Sequence, residues 1–311
     1  MKKITAMLLT LTLAIALLTG CSNSTPTEAP TTAPTTAPTA APTEAPTTAP
    51  TAAPTEAPTT APTAAPTEAP TTAPTAEPSA QLNLVEAGKL IMSTNAEFPP
   101  YESTDDDGNF IGIDIEIAQA IADKLGLELV IDDMGFDAAL LAVQQGKSDI
   151  VMAGVSVTDD RELVMDFSVS YATGVQVVII KEGSDVNMDN LGEKMIGTQL
   201  GTTGYIYASD TPDNGGYGED HVIGFDNGMT AVQALMSGSV DCVIIDKAPA
   251  MEYVAANPGL TILKGNWVEE SYAIGVDDGN TALQAAINDA LNALIADGTV
   301  QQIIDKHIKA E

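Results

Sequence analysis

The sequence predicts an α/β protein built on parallel sheets with helices on both faces, and three observations carry that expectation. Short apolar runs alternate with amphipathic ones from Gln81 to Glu311, the pattern of strands that each feed a covering helix. The amphipathic runs have helix punctuation: Asp114 to Leu125 opens on a capping residue and ends before Gly126, and Asp137 to Gln145 ends before Gly146. Some 230 residues of ordinary globular composition follow position 80, enough to bury a sizeable core.

Taken in order, the chain begins with Lys2 and Lys3 ahead of an apolar run, Ile4 to Leu18, too short for an ordinary membrane-spanning helix and followed by the small residues of Leu18-Thr-Gly-Cys21. Residues 1–20 therefore read as a secretory signal, and the ending resembles a bacterial lipobox, which would make Cys21 the lipid-modified first residue of the exported protein. The competing reading is an uncleaved anchor or a spare thiol. A second apolar run of spanning length is absent from the sequence, so export with a lipid tether is expected. Residues 21–80 are Thr, Ala and Pro with occasional Glu, and the unit APTEAPTTAPTA recurs at 41, 53 and 65. The frequent prolines remove backbone donors and no large apolar side chains are available for a core, so a disordered stalk is expected. In polyproline II, at about 3.1 Å per residue, it would reach on the order of 180 Å, a span suited to a thick, Gram-positive type of wall.

Expected strands are Leu90 to Thr94, Leu127 to Asp132, Asp149 to Gly154, Gln176 to Lys181, Lys194 to Thr198, His221 to Phe225, Val240 to Asp246 and Tyr272 to Val276. Asp105 to Asn109 is acidic but has Phe110 where a calcium-binding loop requires glycine, and reads as a hairpin turn. The net charge of −31 falls to −33 once Lys2 and Lys3 are removed, which excludes nucleic acid as a partner. Cys242 lies in an apolar strand and no disulfide is expected. No Ser-His-Asp, zinc or phosphate-loop spacing accompanies His221 and His307, so no catalytic residues, metal or cofactor are expected.

In open α/β sheets ligands sit beyond the carboxyl ends of strands, and four such places carry polar or aromatic groups. Thr94 to Glu102 includes Asn95, Phe98 and a double proline; Met134-Gly-Phe136 adds a ring ahead of Asp137. Ala153-Gly-Val-Ser-Val-Thr-Asp-Asp-Arg161 places Gly154 and Ser156 before a helix capped by Thr158, and Gln199-Leu-Gly-Thr-Thr-Gly204 is a Gly/Thr turn. Arg161 is the only arginine in the chain. Its guanidinium suits bidentate recognition of a carboxylate in a way lysine does not. A solvated surface ion pair with Asp160 or Glu162 is the bland alternative.

The runs GKLIMSTNAEFPPYE, IGIDIEIAQAIADKLG, LLAVQQGKSDIVMAGVSVTDDRELVMDFS, IGTQLGTTG, MSGSVDCVIID and LNALIADGTVQQI resemble the family 3 extracytoplasmic solute-binding proteins of polar amino acid ABC importers, over essentially all of 85 to 308. The resemblance implies a two-lobed, type II periplasmic-binding-protein-like fold with two hinge-strand crossings: 84–173 and 271–311 in lobe 1, and 176–268 in lobe 2. It further implies a monomer, with an ABC permease as partner, held at the outer face of the cell membrane. Carried over by position, Arg161 would clamp the ligand α-carboxylate with Gly154 N–H, Ser156 and Thr203. Asp246, with the Ala153 carbonyl, would accept the α-ammonium; Asp246 also reads as a cap on the helix from Lys247 to Asn257. Phe98 and Phe136 would sandwich the ligand side chain, with Asn95, Glu97, Gln199 and Tyr205 as polar contacts. Basic-amino-acid binders of the family often carry an acid where this chain has Asn95, so a neutral polar ligand such as glutamine or cystine is expected, although Glu97 keeps a basic one open. The alternatives are a secreted dehydratase of prephenate-like acids on the same fold, and a sensory or wall-linked ligand-binding protein.

Overall fold

A computed structural model describes residues 82–308. The signal at 1–20, Cys21 and the repeat segment of 21–80 lie outside the described residues. In chain order the first part contains β1 (Lys89–Thr94), β2 (Glu97–Phe98), β3 (Glu102–Thr104), β4 (Phe110–Ile111), α1 (Ile113–Leu125), β5 (Glu128–Asp133), α2 (Phe136–Gln144), β6 (Ile150–Val151), α3 (Asp159–Glu162) and β7 (Met165–Phe167). There follow β8 (Ala172–Lys181), β9 (Ile196–Gln199), α4 (Thr203–Ser209), β10 (Val222–Phe225), α5 (Gly228–Ser237), β11 (Cys242–Asp246), α6 (Lys247–Ala256), β12 (Leu260–Ile262) and β13 (Val268–Tyr272). The chain then returns through β14 (Gly275–Asp277), α7 (Thr281–Ala296) and α8 (Thr299–His307).

Two large sheets result, one per lobe, with a small three-stranded sheet β2-β3-β4 beside them. The first has strand order β5-β1-β6-β14-β7, the second β10-β9-β11-β8-β12 with β13 also on β8. Both are mixed rather than all-parallel: β1 runs parallel to β5 and β6, while β14 is antiparallel to β6 and β7, and β8 is antiparallel to β11, β12 and β13. The departure has a topological cause. Parallel pairing needs a crossover helix, and the two crossings between lobes arrive without one, through β8 and through β13 into β14. Residues 172–176 of β8 pair with 268–272 of β13, so the crossings form a two-stranded antiparallel ribbon. The Tyr272 to Val276 stretch accordingly divides between β13 and β14, and β8 starts at Ala172, earlier than the apolar pattern marks.

The first core is filled by fully buried Leu90, Met92, Ile113, Ile117, Ile121, Ile287 and Leu291, each worth about 1.5–3 kcal/mol of transfer free energy. Gly126 ends α1 in the left-handed conformation at φ 68°, as its position predicts. Other helix starts differ from expectation. Gly112 and Gly135, not Asp114 and Asp137, precede α1 and α2; Asp114 is drawn wholly inside. The expected strand at Asp149 to Gly154 shrinks to Ile150–Val151, and His221 sits in a 3-10 turn ahead of β10. The hairpin at Asp105 to Asn109 joins β3 and β4, its turn held by the Asp105 carboxylate. Cys242 is a buried thiol, pushed up to about 12 chiefly by burial. No helix among the described residues is long and apolar enough to cross a membrane.

Candidate functional site

Strand ends of both sheets converge on one narrow cavity, lined by Asn95, Phe98, Phe136, Ala153, Gly154, Ser156, Arg161, Gln199, Thr203 and Asp246, together with Glu102 and Thr202. All ten sequence-derived candidates are thus brought together. Glu97 and Tyr205 are not. The Glu97 carboxylate turns outward to accept from Asn95 and Asn227, and Tyr205 packs into the second lobe's core.

Arg161 reaches the cavity because Thr158 caps α3 and accepts the Arg161 N–H, fixing the turn that carries the side chain. The residue is only 7% exposed, and its guanidinium lies 5.5 Å from the Phe136 ring centroid, a cation–π arrangement. Nη1 donates to the Ser156 carbonyl at 2.8 Å and Nη2 to the Gly201 carbonyl at 3.1 Å, so the fork spans both lobes. Burial lowers its pKa while the Glu270 charge opposes that shift. Two of five N–H donors go to these carbonyls, and the rest remain for an anion.

Asp246 ends β11 and precedes α6, but its carboxylate makes no cap bond to the helix. It accepts instead from Tyr272 Oη and, at 2.8 Å, from Gln176 Nε2. Burial raises its pKa to about 7 against those two donors. Gly174 makes room for this pairing: a Cβ there would lie 2.4 Å from the Tyr272 ring. The Gly154 N–H donates to Asp114 Oδ2 at 2.9 Å, and Tyr171 Oη to Asp114 Oδ1 at 2.7 Å. The amide expected to meet a ligand carboxylate therefore already serves a buried acid.

Sequence reasoning missed Glu102, Gln176, Glu270 and Tyr272. As a carboxylate, fully buried Glu102 has no donor on either oxygen; burial, then the charge of Asp114 and a hydrogen bond to it, hold its carboxyl well above the usual range. Asp114 is itself pushed up to about 6 by burial. Gln176 was detectable as a polar residue directly ahead of the apolar run 177–180 of β8, and Glu270 and Tyr272 as same-face residues two apart on β13.

The lobes touch across the cavity. Gln199 Nε2 donates to Asn95 Oδ1 at 2.9 Å, and Tyr253 Oη to the Glu97 carbonyl at 3.0 Å. At Gly201, with φ +72°, a Cβ would fall 1.6 Å from Asp137 Oδ1. Gly201→Ala is expected to hold the lobes apart and weaken ligand binding roughly tenfold, from the 1–3 kcal/mol typical of such strain. Calorimetry on Gly201→Ala with and without Asp137→Ala checks this, because removing the Asp137 carboxylate should restore part of the loss; an unchanged affinity in the single variant would show that the Asp137 side chain moves aside freely.

Two α/β lobes, a two-stranded hinge and a polar cavity between them define a solute-binding protein. The model of bacterial extracellular solute-binding proteins, family 3, matches residues 90–310, and the chain belongs to that family. A probable histidine-binding protein of Neisseria gonorrhoeae is 32% identical over 225 residues, covering 71% of this chain and 83% of its own. Among solved structures, the arginine-, lysine-, histidine-binding protein ArtJ of Geobacillus stearothermophilus is 31% identical with TM-score 0.66, over 72% of this chain and 96% of that one. An ancestral arginine-binding protein bound to glutamine is 37% identical with TM-score 0.67, over 72% of this chain and all of that one.

Proposed function

We propose that this protein captures one amino acid between its lobes, outside the cytoplasm, and hands it to an ABC importer, and that the preferred ligand carries a cationic side chain. The single observation behind the ligand class is the imbalance of buried charge. Around the cavity Glu102, Asp114, Asp246 and Glu270 are buried with one buried cation, Arg161. Burial pushes Glu102, Asp114 and Asp246 upward, so a cation arriving beside them favours their ionised forms. A zwitterion adds none; arginine, lysine or protonated histidine adds one. Glu102 then accepts the side-chain cation, with Asn95 and Gln199 beside it. This reading departs from the neutral ligand expected from Asn95 alone.

In this mechanism Arg161 binds the α-carboxylate and Asp246 the α-ammonium, while Phe98 and Phe136 flank the side chain. Ligand bound to the first lobe favours the closed arrangement because only there do the second lobe's groups reach it. Related proteins named for histidine, arginine and cystine support an amino acid as ligand. The likeness to receptors supports binding without turnover; Cys21 as the lipid anchor rests on the apolar run and the Leu18-Thr-Gly ahead of it.

Calorimetric titration of L-arginine, L-lysine, L-histidine and L-glutamine into the protein tests the proposal, with recovery of the ligand unchanged. Cationic ligands should bind more tightly than glutamine, and Glu102→Gln should cost arginine more than about tenfold while sparing glutamine. Equal losses for both ligands would remove Glu102 from the side-chain role.

A further inference from the structure

The least explained group beside the cavity is Glu270 on hinge strand β13, which does not line it but bonds Ser156 and Thr203, which do. Its Oε2 accepts from three donors drawn from three parts of the chain: Thr203 Oγ1 at 2.7 Å in the second lobe, Gln176 Nε2 at 3.1 Å on β8, and Ser156 Oγ at 3.2 Å in the first lobe. Its Oε1 is buried without a partner, and the residue is 9% exposed. The Gln176 amide that reaches Glu270 also donates to Asp246 at 2.8 Å, so one NH₂ group bridges two carboxylates.

A hydroxyl has one proton and two lone pairs. Ser156 and Thr203 both direct that proton at Glu270, so each presents lone pairs, not a donor, to anything else it meets. Two hydroxyls that by position belong with the ligand carboxylate are thereby converted to acceptors. Acceptors beside Asp246 suit an ammonium; beside a carboxylate they repel.

Resting on the receptor reading above, we propose that Glu270 is a positioning residue that sets the polarity of the cavity. By holding the Ser156 and Thr203 protons it assigns both hydroxyls to the ligand's ammonium end and leaves the carboxylate to Arg161. Glutamine in its place supplies an NH₂ that donates to those hydroxyl oxygens, turns their protons outward and removes the charge.

The test is calorimetry on the full chain, wild type and Glu270→Gln, with L-arginine, with agmatine, which keeps the amine and lacks the carboxylate, and with 5-guanidinopentanoate, which keeps the carboxylate and lacks the amine, the weaker two read by displacement of L-arginine. Glu270→Gln should lose at least tenfold for L-arginine and agmatine, and match or exceed wild-type affinity for 5-guanidinopentanoate. Parallel losses for all three would mean a merely structural role and overturn the assignment. So would tighter L-arginine binding, since Glu270 would then have been competing with the ligand carboxylate. Absence of binding by wild type to L-arginine, L-lysine, L-histidine and L-glutamine alike overturns the receptor reading itself, an outcome distinct from a wild-type pattern in the Glu270→Gln protein.

Discussion

Arg161→Ala is expected to abolish measurable binding of amino acids. The guanidinium is buried, stacked on Phe136 and already bonded to one carbonyl from each lobe. Truncation removes the carboxylate's partner and leaves Asp246 and Glu270 facing each other without a buried cation. Losing one member of a buried, hydrogen-bonded charge pair typically costs 2 to 5 kcal/mol, roughly 30-fold to several thousand-fold in affinity. Arg161→Lys should recover little, because an ammonium does not reproduce a fork that spans two carbonyls and a carboxylate. Calorimetry gives the affinity and circular dichroism melting shows that the variant is folded. Wild-type affinity in Arg161→Ala would end the clamp assignment.

Asp246→Asn is the second large loss, again within 2 to 5 kcal/mol by the same reasoning. It should fall on compounds with an α-amine and spare their deaminated analogues. A pH dependence accompanies it. Burial holds Asp246 near 7, with Tyr272 and Gln176 lowering and Glu270 raising the value. A bound ammonium favours the ionised form, so the complex has the lower pKa and binding releases a proton below about pH 7. Wild-type affinity should therefore weaken as the pH falls from 7 towards 5, by up to tenfold per unit, and Asp246→Asn should lose that slope. The ligand-free protein follows the opposite sign. A raised folded-state pKa gives stability that is full below the unfolded value of 3.8 and is lost as the pH rises through about 7. Affinity that holds constant from pH 5 to 8 would contradict the ammonium role.

The parts of this site that were legible in the sequence are those where a residue breaks its local rule. One arginine stands in the whole chain, and Asn95, Ser156, Gln199 and Asp246 follow apolar strands at their carboxyl ends, where alternation stops serving the core. The family runs placed the same residues independently. What stayed hidden depends on distant partners. Asp114 has the position of a helix cap, yet the Gly154 amide and the Tyr171 hydroxyl, 40 and 57 residues away, draw it inside. Gly201 reads as a turn glycine, while its tightest neighbour is Asp137 of the other lobe. Glu269 and Glu270 look alike in the chain; only the pairing of β13 on β8 decides which faces inward. The mixed direction of the sheets was hidden for a related reason: alternation reports layers, not where a strand crosses between them.

The hinge ribbon has an evolutionary consequence. Its two strands contribute Gln176, Glu270 and Tyr272, the groups that fix Asp246 and orient Ser156 and Thr203. On the proposed closure, the element that bends would thus also be an element that discriminates. A lineage that changes its nutrient by altering these positions alters the stiffness of its own joint in the same step, and one that retunes the joint shifts its diet. Innovation in this receptor should therefore proceed more freely at Asn95, Glu102 and Gln199, which lie off the ribbon, than at the three residues that serve both purposes.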